Sequence, residues 1–389
     1  MESTGVSMTR TGLGGVFAAA FGAIFLTTMM CTTASAAVRQ YFIAADEVNW
    51  DYMPGGADKV GMAKAYARFF ATRGPHLIGH VYRKAIYRQY TDATFRHLKP
   101  RKPQDAYRGI LGPIIYAEVG DTIRVVFKNN TTHPCSMHPH GVFYEKASEG
   151  AAYNDGIPES QKPGDEVAPG HTFTYVWRVP PRAGPGPNDP SSIAWLYHSH
   201  VDEAEDVNTG LIGAIIVTRK GMARPDGRPK DVDHNFVLLF MIFNENNSWF
   251  LDQNIKTFTT DPTHVNKFES SPADPNGNFG LVGTGFQSQN LRYTINGYQY
   301  GDGPMMRMRA GERIRWYVLT VGDGLNTHTP HWHGNTVLVR GSRTDVVWIG
   351  PAQTVTADMR PDDPGIWLVH CHFSDHMAGG MAALYQVLR

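Results

Sequence analysis

Cysteine is scarce in this chain: 3 residues in 389, one of them inside an apolar N-terminal stretch, which leaves Cys135 and Cys371. Two thiols cannot staple a chain of this length, so a disulfide scaffold is excluded and the fold must rest on buried apolar cores. Excess charge is lacking as well. With 36 basic and 36 acidic residues the formal charge is zero, and nothing marks nucleic acid or an anionic membrane surface as a partner. Beyond the N-terminus no run is long and apolar enough to span a bilayer. What is abundant is turn chemistry: 40 Gly and 25 Pro punctuate an ordinary apolar fraction, the pattern of many short strands rather than long helices. An all-β chain of about two domains follows, on a prior of roughly 150 residues each.

The N-terminal "MTRTGLGGVFAAAFGAIFLTTMMCTTASAA" has a basic residue, an apolar run and a small-residue "ASA". Residues 1–36 are expected to be a signal peptide, cleaved near Ala36 or Ala37, which makes the mature protein secreted or periplasmic. The alternative is an uncleaved anchor, against which the Gly and Thr interruptions count.

After this segment, strand-like runs recur between turn residues, with "KVGMAKAYARFFATR" reading as a short inserted helix. The expected division is a first domain at 38–222, a Pro- and Gly-bearing linker at 223–232, and a second domain at 233–389. The two halves repeat their landmarks in order: "AEVGDTIRVVFKN", "HPHG" and "YHSH" against "MRAGERIRWYVLT", "HWHG" and "VHCH". An internal duplication of a roughly 150-residue unit is the economical reading. Each unit reads as a Greek-key β-sandwich or barrel with ligand-bearing loops at one end.

Ten of the 17 histidines fall in four short motifs: His138 and His140; His198 and His200; His328, His331 and His333; His370, His372 and His376. One His-x-His pair on a strand is ordinary, but four pairs, two per half, point to metal. "LVHCHFSDHMAGGM" refines this. On an extended strand His370 and His372 face one way and Cys371 the other, so two metal sites stand back to back. Two histidines and a cysteine with a weak axial Met make the blue-copper arrangement. Cys371, His376 and Met381 supply three of its members, and His328, free to face away from His331, supplies the fourth. Eight histidines remain for a second centre. Cys135 reads as a small buried residue, and Met305, Met306 and Met308 as strand residues turned alternately to a core.

These motifs, His-x-His-Gly, His-x-His, His-x-x-His-x-His and His-Cys-His-x-x-x-His-x-x-x-x-Met, resemble those of the multicopper oxidases. "ILGPIIYAEVGDTI", "SMHPHGVFYEKASEGAAYNDG" and "NFVLLFMIFNENNSWFLDQNI" are similar to ceruloplasmin-type domains, and two domains with a blue site in the second is the layout of small two-domain laccases. The resemblance implies two Greek-key cupredoxin-like β-sandwich domains and four coppers per chain. Type 1 copper would lie on His328, Cys371, His376 and Met381, and type 2 on His138 and His331. The type 3 pair would take His140, His198, His200, His333, His370 and His372. Ser199, standing where the second half has Cys371, cannot supply a blue-site thiolate.

The activity so implied is one-electron oxidation of a phenol or aromatic amine at the type 1 copper, coupled to four-electron reduction of dioxygen to water. Oxidation of Fe2+, Cu+ or Mn2+ is the alternative, a copper nitrite reductase a further one, and a copper-binding scaffold the non-enzymatic one. Dioxygen reduction consumes protons, and Asp155 is the expected acid; Asp202, Glu203, Glu205 and Asp206, just after His200, are weaker candidates that read equally as a solvated acidic loop. Asp375, beside His376, is the expected substrate-side carboxylate. Ferroxidases of this type place a Glu and a His where this chain has Ser288 and Tyr293, and a lone carboxylate is a poor Fe2+ site. Because each domain carries half of the cluster ligands, a homotrimer with interfacial clusters is expected.

Overall fold

The structure, a computed structural model, describes residues 12, 36–271 and 282–389. The expected signal peptide, apart from residues 12 and 36, lies outside the described residues. Among these no helix is long and apolar enough to cross a membrane.

The first half contributes β1 (Val38–Asp51), β2 (Val81–Gln89), β3 (Ile115–Glu118), β4 (Thr122–Asn129), β5 (His138–Pro139), β6 (Thr172–Arg178), β7 (Ser192–His198) and β8 (Ile212–Thr218). They form two four-stranded sheets, ordered β2-β1-β4-β6 and β3-β8-β7-β5. The second half contributes β9 (His234–Asn244), β10 (Leu291–Ile295), β11 (Met306–Arg309), β12 (Ile314–Leu319), β13 (Pro330–Trp332), β14 (Val337–Val339), β15 (Ser342–Thr344), β16 (Thr354–Met359), β17 (Gly365–Cys371) and β18 (Ala382–Leu388). Its sheets are ordered β10-β9-β12-β16-β14-β15 and β11-β18-β17-β13. The halves are therefore two all-β sandwiches of one topology. β1 and β4 run parallel, as do β9 and β12, inside otherwise antiparallel sheets; β7 and β17 each carry a His-x-His motif at their C-terminal end.

Composition explains the placement. β8 is buried at every residue and β9 at Phe236–Phe243, so these strands read as unbroken apolar runs rather than alternating ones. β9 is covered on both faces because one core crosses between the halves: Tyr52, Tyr82, Ile110, Leu196 and Ile212 pack in the same cluster as Phe240, Phe243 and Trp316. Each such side chain contributes about 1.5–3 kcal/mol on burial, which makes the seam part of the fold. A second core, including Ile43, Val125, Tyr175 and Trp177, fills the first sandwich.

Among the described residues five short α-helices decorate the strands: α1 (Lys64–Ala71), α2 (Glu203–Thr209), α3 (Leu251–Phe258), α4 (Phe286–Gln289) and α5 (Ser374–Ala378). α1 lies within the stretch expected to be helical. The polar stretch between β8 and β9 folds back on itself, with Ala223 and Pro229 bridged. A fully buried Lys84 on β2 pairs across the seam with Glu245, just after β9. Tyr52 donates its hydroxyl to the same carboxylate at 2.5 Å, and Lys84 also donates to the Asn208 carbonyl at 2.5 Å.

Candidate metal centres

β17 ends at Cys371 and α5 follows at once, so chain geometry sets Cys371 and His376 side by side; β13 brings the third ligand by pairing with β17, Pro330 opposite Cys371. The nitrogens His328 Nδ1 and His376 Nδ1 lie 3.2 Å apart, with Cys371 Sγ 3.4 Å from His376 Nδ1 and 4.0 Å from His328 Nδ1. Three donors so close fit a single first-row ion about 2.0–2.3 Å from each, and two imidazole nitrogens with one sulfur form the donor set of blue copper. All three residues are buried, and so is Met381. The Thr329 amide donates to Sγ at 3.3 Å. Burial raises the Cys371 thiol and pushes the His328 imidazole down to about 3. The histidine is therefore neutral, as a ligand must be, and a bound cation is what would draw the proton from sulfur.

The remaining histidines form two clusters. In the second half, His331 Nδ1 and His333 Nε2 lie 3.2 and 3.0 Å from His370 Nε2, and the His372 ring is 5.3 Å from that of His331. In the first half, His140 Nε2 lies 3.1 Å from His198 Nε2, with the His138 ring 5.2 Å from that of His200 and 5.7 Å from that of His198. His331 faces His370, and His138 faces His198, across matching strand pairs. Among the described residues every ring contact within these eight histidines stays inside its own half. Burial holds His140 and His370 near about 4 and His198 near about 3. Backbone carbonyls fix the rings: His138 Nδ1 faces that of Glu149 at 2.8 Å, His198 that of Ser199 at 2.9 Å, and His370 that of Cys371 at 2.8 Å. Such clusters of imidazoles suit copper.

The acids are placed less uniformly. Asp155 forms ion pairs with Lys146 at 2.6 Å and Lys162 at 2.9 Å, and those two lysines hold its carboxyl well below the usual range. Asp375 Oδ2 stands 3.9 Å from His376 Nε2, half exposed. Tyr293 packs its ring 5.7 Å from that of His376, and Ser288 is buried on α4. The solvated acidic loop after His200 is corrected in one respect: α2 turns Asp206 inward to 1 % exposure, where burial raises its carboxyl to about 6. Asp345, 3.6 Å from His331 Nε2, carries no sequence signal because β15 sets it there from outside the motifs.

Two family models described as multicopper oxidase match residues 89–221 and 271–389. Ferroxidase HEPHL1 of Homo sapiens is 39 % identical over 374 residues, covering 94 % of this chain and 31 % of the relative. Ceruloplasmin of Mus musculus is 40 % identical over 355 residues, covering 90 % and 32 %. The chain thus spans about a third of the length of these curated relatives. Among solved structures, one titled as a multicopper oxidase aligns with a TM-score of 0.55 at 19 % identity, covering 90 % of this chain and 89 % of that one. A blue copper oxidase from Nitrosomonas europaea aligns at 0.53 with 19 % identity, covering 90 % and 86 %. With its fold, its four histidine motifs and these matches together, the chain belongs to the multicopper oxidase family.

Proposed function

We propose that this chain is a copper-dependent oxidase that takes electrons singly at the His328–Cys371–His376–Met381 site and uses them to reduce dioxygen at the histidine cluster, with a low-valent metal ion as donor. Copper at these residues supplies the one-electron redox step and the binding of dioxygen. The chain supplies the link: Cys371 is joined through the backbone to His370 and His372, so the electron-entry ligand and two cluster ligands are consecutive residues. The observation that carries the donor assignment is the likeness, near 40 % over at least nine-tenths of the chain, to proteins named ferroxidase and ceruloplasmin. Asp375, half exposed beside His376, is the carboxylate we assign to the donor side. Asp155, kept ionised by Lys146 and Lys162, is retained as the acidic residue serving dioxygen reduction, its carboxylate accepting and passing on protons rather than storing one.

Ser288 and Tyr293 support a second reading. An aromatic ring packed on His376, where a further metal ligand would be wanted, suits a phenol or aromatic amine. Oxygen uptake by the copper-loaded protein against Fe2+, Cu+ and a set of phenols separates the two. Turnover with a metal ion faster than with any phenol is expected, and turnover with phenols alone overturns the assignment.

We further propose that the clusters are completed between copies in a cyclic homotrimer with four coppers per chain, since the two sets of four histidines do not touch within one chain. Three copies would supply as many domains as relatives about three times as long. Export from the cytoplasm, read from residues 1–36, belongs to the same proposal.

A further inference from the structure

The two halves share one hydrogen-bond lattice around their ligand loops. The Cys371 amide donates to the Met381 carbonyl at 3.1 Å and the Met381 amide to the His376 carbonyl at 2.9 Å; the Ser199 amide donates to Leu211 at 3.2 Å and the Leu211 amide to Asp206 at 3.2 Å. The Thr329 amide points at Cys371 Sγ, 3.3 Å away, and the Ser136 amide at Ser199 Oγ, 3.0 Å away. His372 donates its amide to Thr329 Oγ1 at 3.2 Å, and His200 donates to Ser136 Oγ at 3.0 Å. His328 exchanges a pair of backbone bonds with Ile349, and Cys135 does so with Val167. The four ligand positions His328, Cys371, His376 and Met381 therefore fall, in the first half, on Cys135, Ser199, Asp206 and Leu211.

Asp206 thus stands where the second half has the ligand His376. Its Oδ2 accepts from Ser199 Oγ at 2.6 Å, from the Val201 amide at 3.0 Å and from the Asp202 amide at 3.2 Å. These donors bracket His200, and Ser199 adjoins His198. In the second half an ion between Cys371 and His376 would brace the loop; in the first a carboxylate spans the equivalent positions. We propose that Asp206 is a positioning residue whose carboxylate, in place of a metal ion, holds His198 and His200 ready for the copper cluster.

This rests on the copper-oxidase reading, and the test keeps the two apart. Asp206→Ala and Asp206→Asn are made in the full chain, and copper content, electron paramagnetic resonance and apo-protein amide exchange are measured. Asp206→Ala is expected to keep the type 1 signal, to bind cluster copper about 10–100-fold more weakly, and to exchange the Val201 and Asp202 amides faster before copper is added. Asp206→Asn, which retains one acceptor oxygen, should recover part of each loss. Cluster copper and amide protection unchanged in Asp206→Ala would overturn the proposal, as would joint loss of the type 1 and cluster signals in both variants. A parent protein that takes up no copper defeats the oxidase reading instead, and the exchange data on the apo chain still decide whether Asp206 braces the loop.

Discussion

Behind Cys371 lies a pocket of two imidazoles, a thiol and a thioether; behind Ser199, at the same place in the first sandwich, lie a thiol, a hydroxyl, a carboxylate and a leucine. The backbone around the two is nearly the same, bond for bond. Behind His198 and His200 the Asp206 carboxylate itself bridges the strand end to the helix that follows, accepting from Ser199, Val201 and Asp202. With a carboxylate as that bridge, the proposed division lets the first half keep its cluster ligands without a blue site. On the proposed function, one duplicated unit has specialised into a half that receives electrons and a half that only helps to use them.

The largest expected effect comes from making the second half resemble the first. Cys371→Ser removes the sulfur that stands with His328 and His376, so intense visible absorption and donor oxidation should fall to background while cluster copper stays bound. Colour surviving in this variant, or lost on replacing Cys135 instead, would reverse the roles given to the two pockets.

The seam limits how far the halves can be treated separately. Glu245→Ala leaves Lys84 buried without its partner, and a loss of about 3–5 kcal/mol in denaturant unfolding is expected. A loss below about 1 kcal/mol would mean that the apolar seam alone joins the sandwiches.

Asp155→Asn keeps size and removes the titratable carboxyl. With copper content unchanged, dioxygen reduction should slow at least about tenfold. An unaltered rate would leave Asp155 as the anchor of Lys146 and Lys162 and nothing more.

The smallest effect concerns pH. The buried Asp206 carboxyl titrates near 6, above the roughly 3.9 of an unfolded chain, so the folded protein holds this proton more tightly. Its contribution to stability is present below about pH 4 and is lost as pH rises through about 6. Urea unfolding of the apo protein between pH 4 and 7 should show the parent losing stability relative to Asp206→Asn across that window; parallel profiles would show that the side chain is not desolvated.

The histidine motifs were legible because each is local: two or three residues on one strand end, with alternation of faces already encoded in the spacing. The sandwich topology was legible through the repeated landmarks. What escaped reading lies in contacts between distant segments. Asp206 was hidden by spacing, since it stands seven residues after Ser199 while His376 stands five after Cys371, and a run of four acids in a short stretch looks like a solvated loop until α2 turns one of them inward. The Lys84–Glu245 pair joins positions 161 residues apart, with no motif at either end. The lysines beside Asp155 are close in sequence, but only the fold decides that they point at it.

The claim that the two pockets have parted ways is tested most directly by counting spins. Electron paramagnetic resonance of the copper-loaded protein, set against total copper, should give one type 1 signal per chain among four coppers. Two type 1 signals per chain, or none, would contradict it.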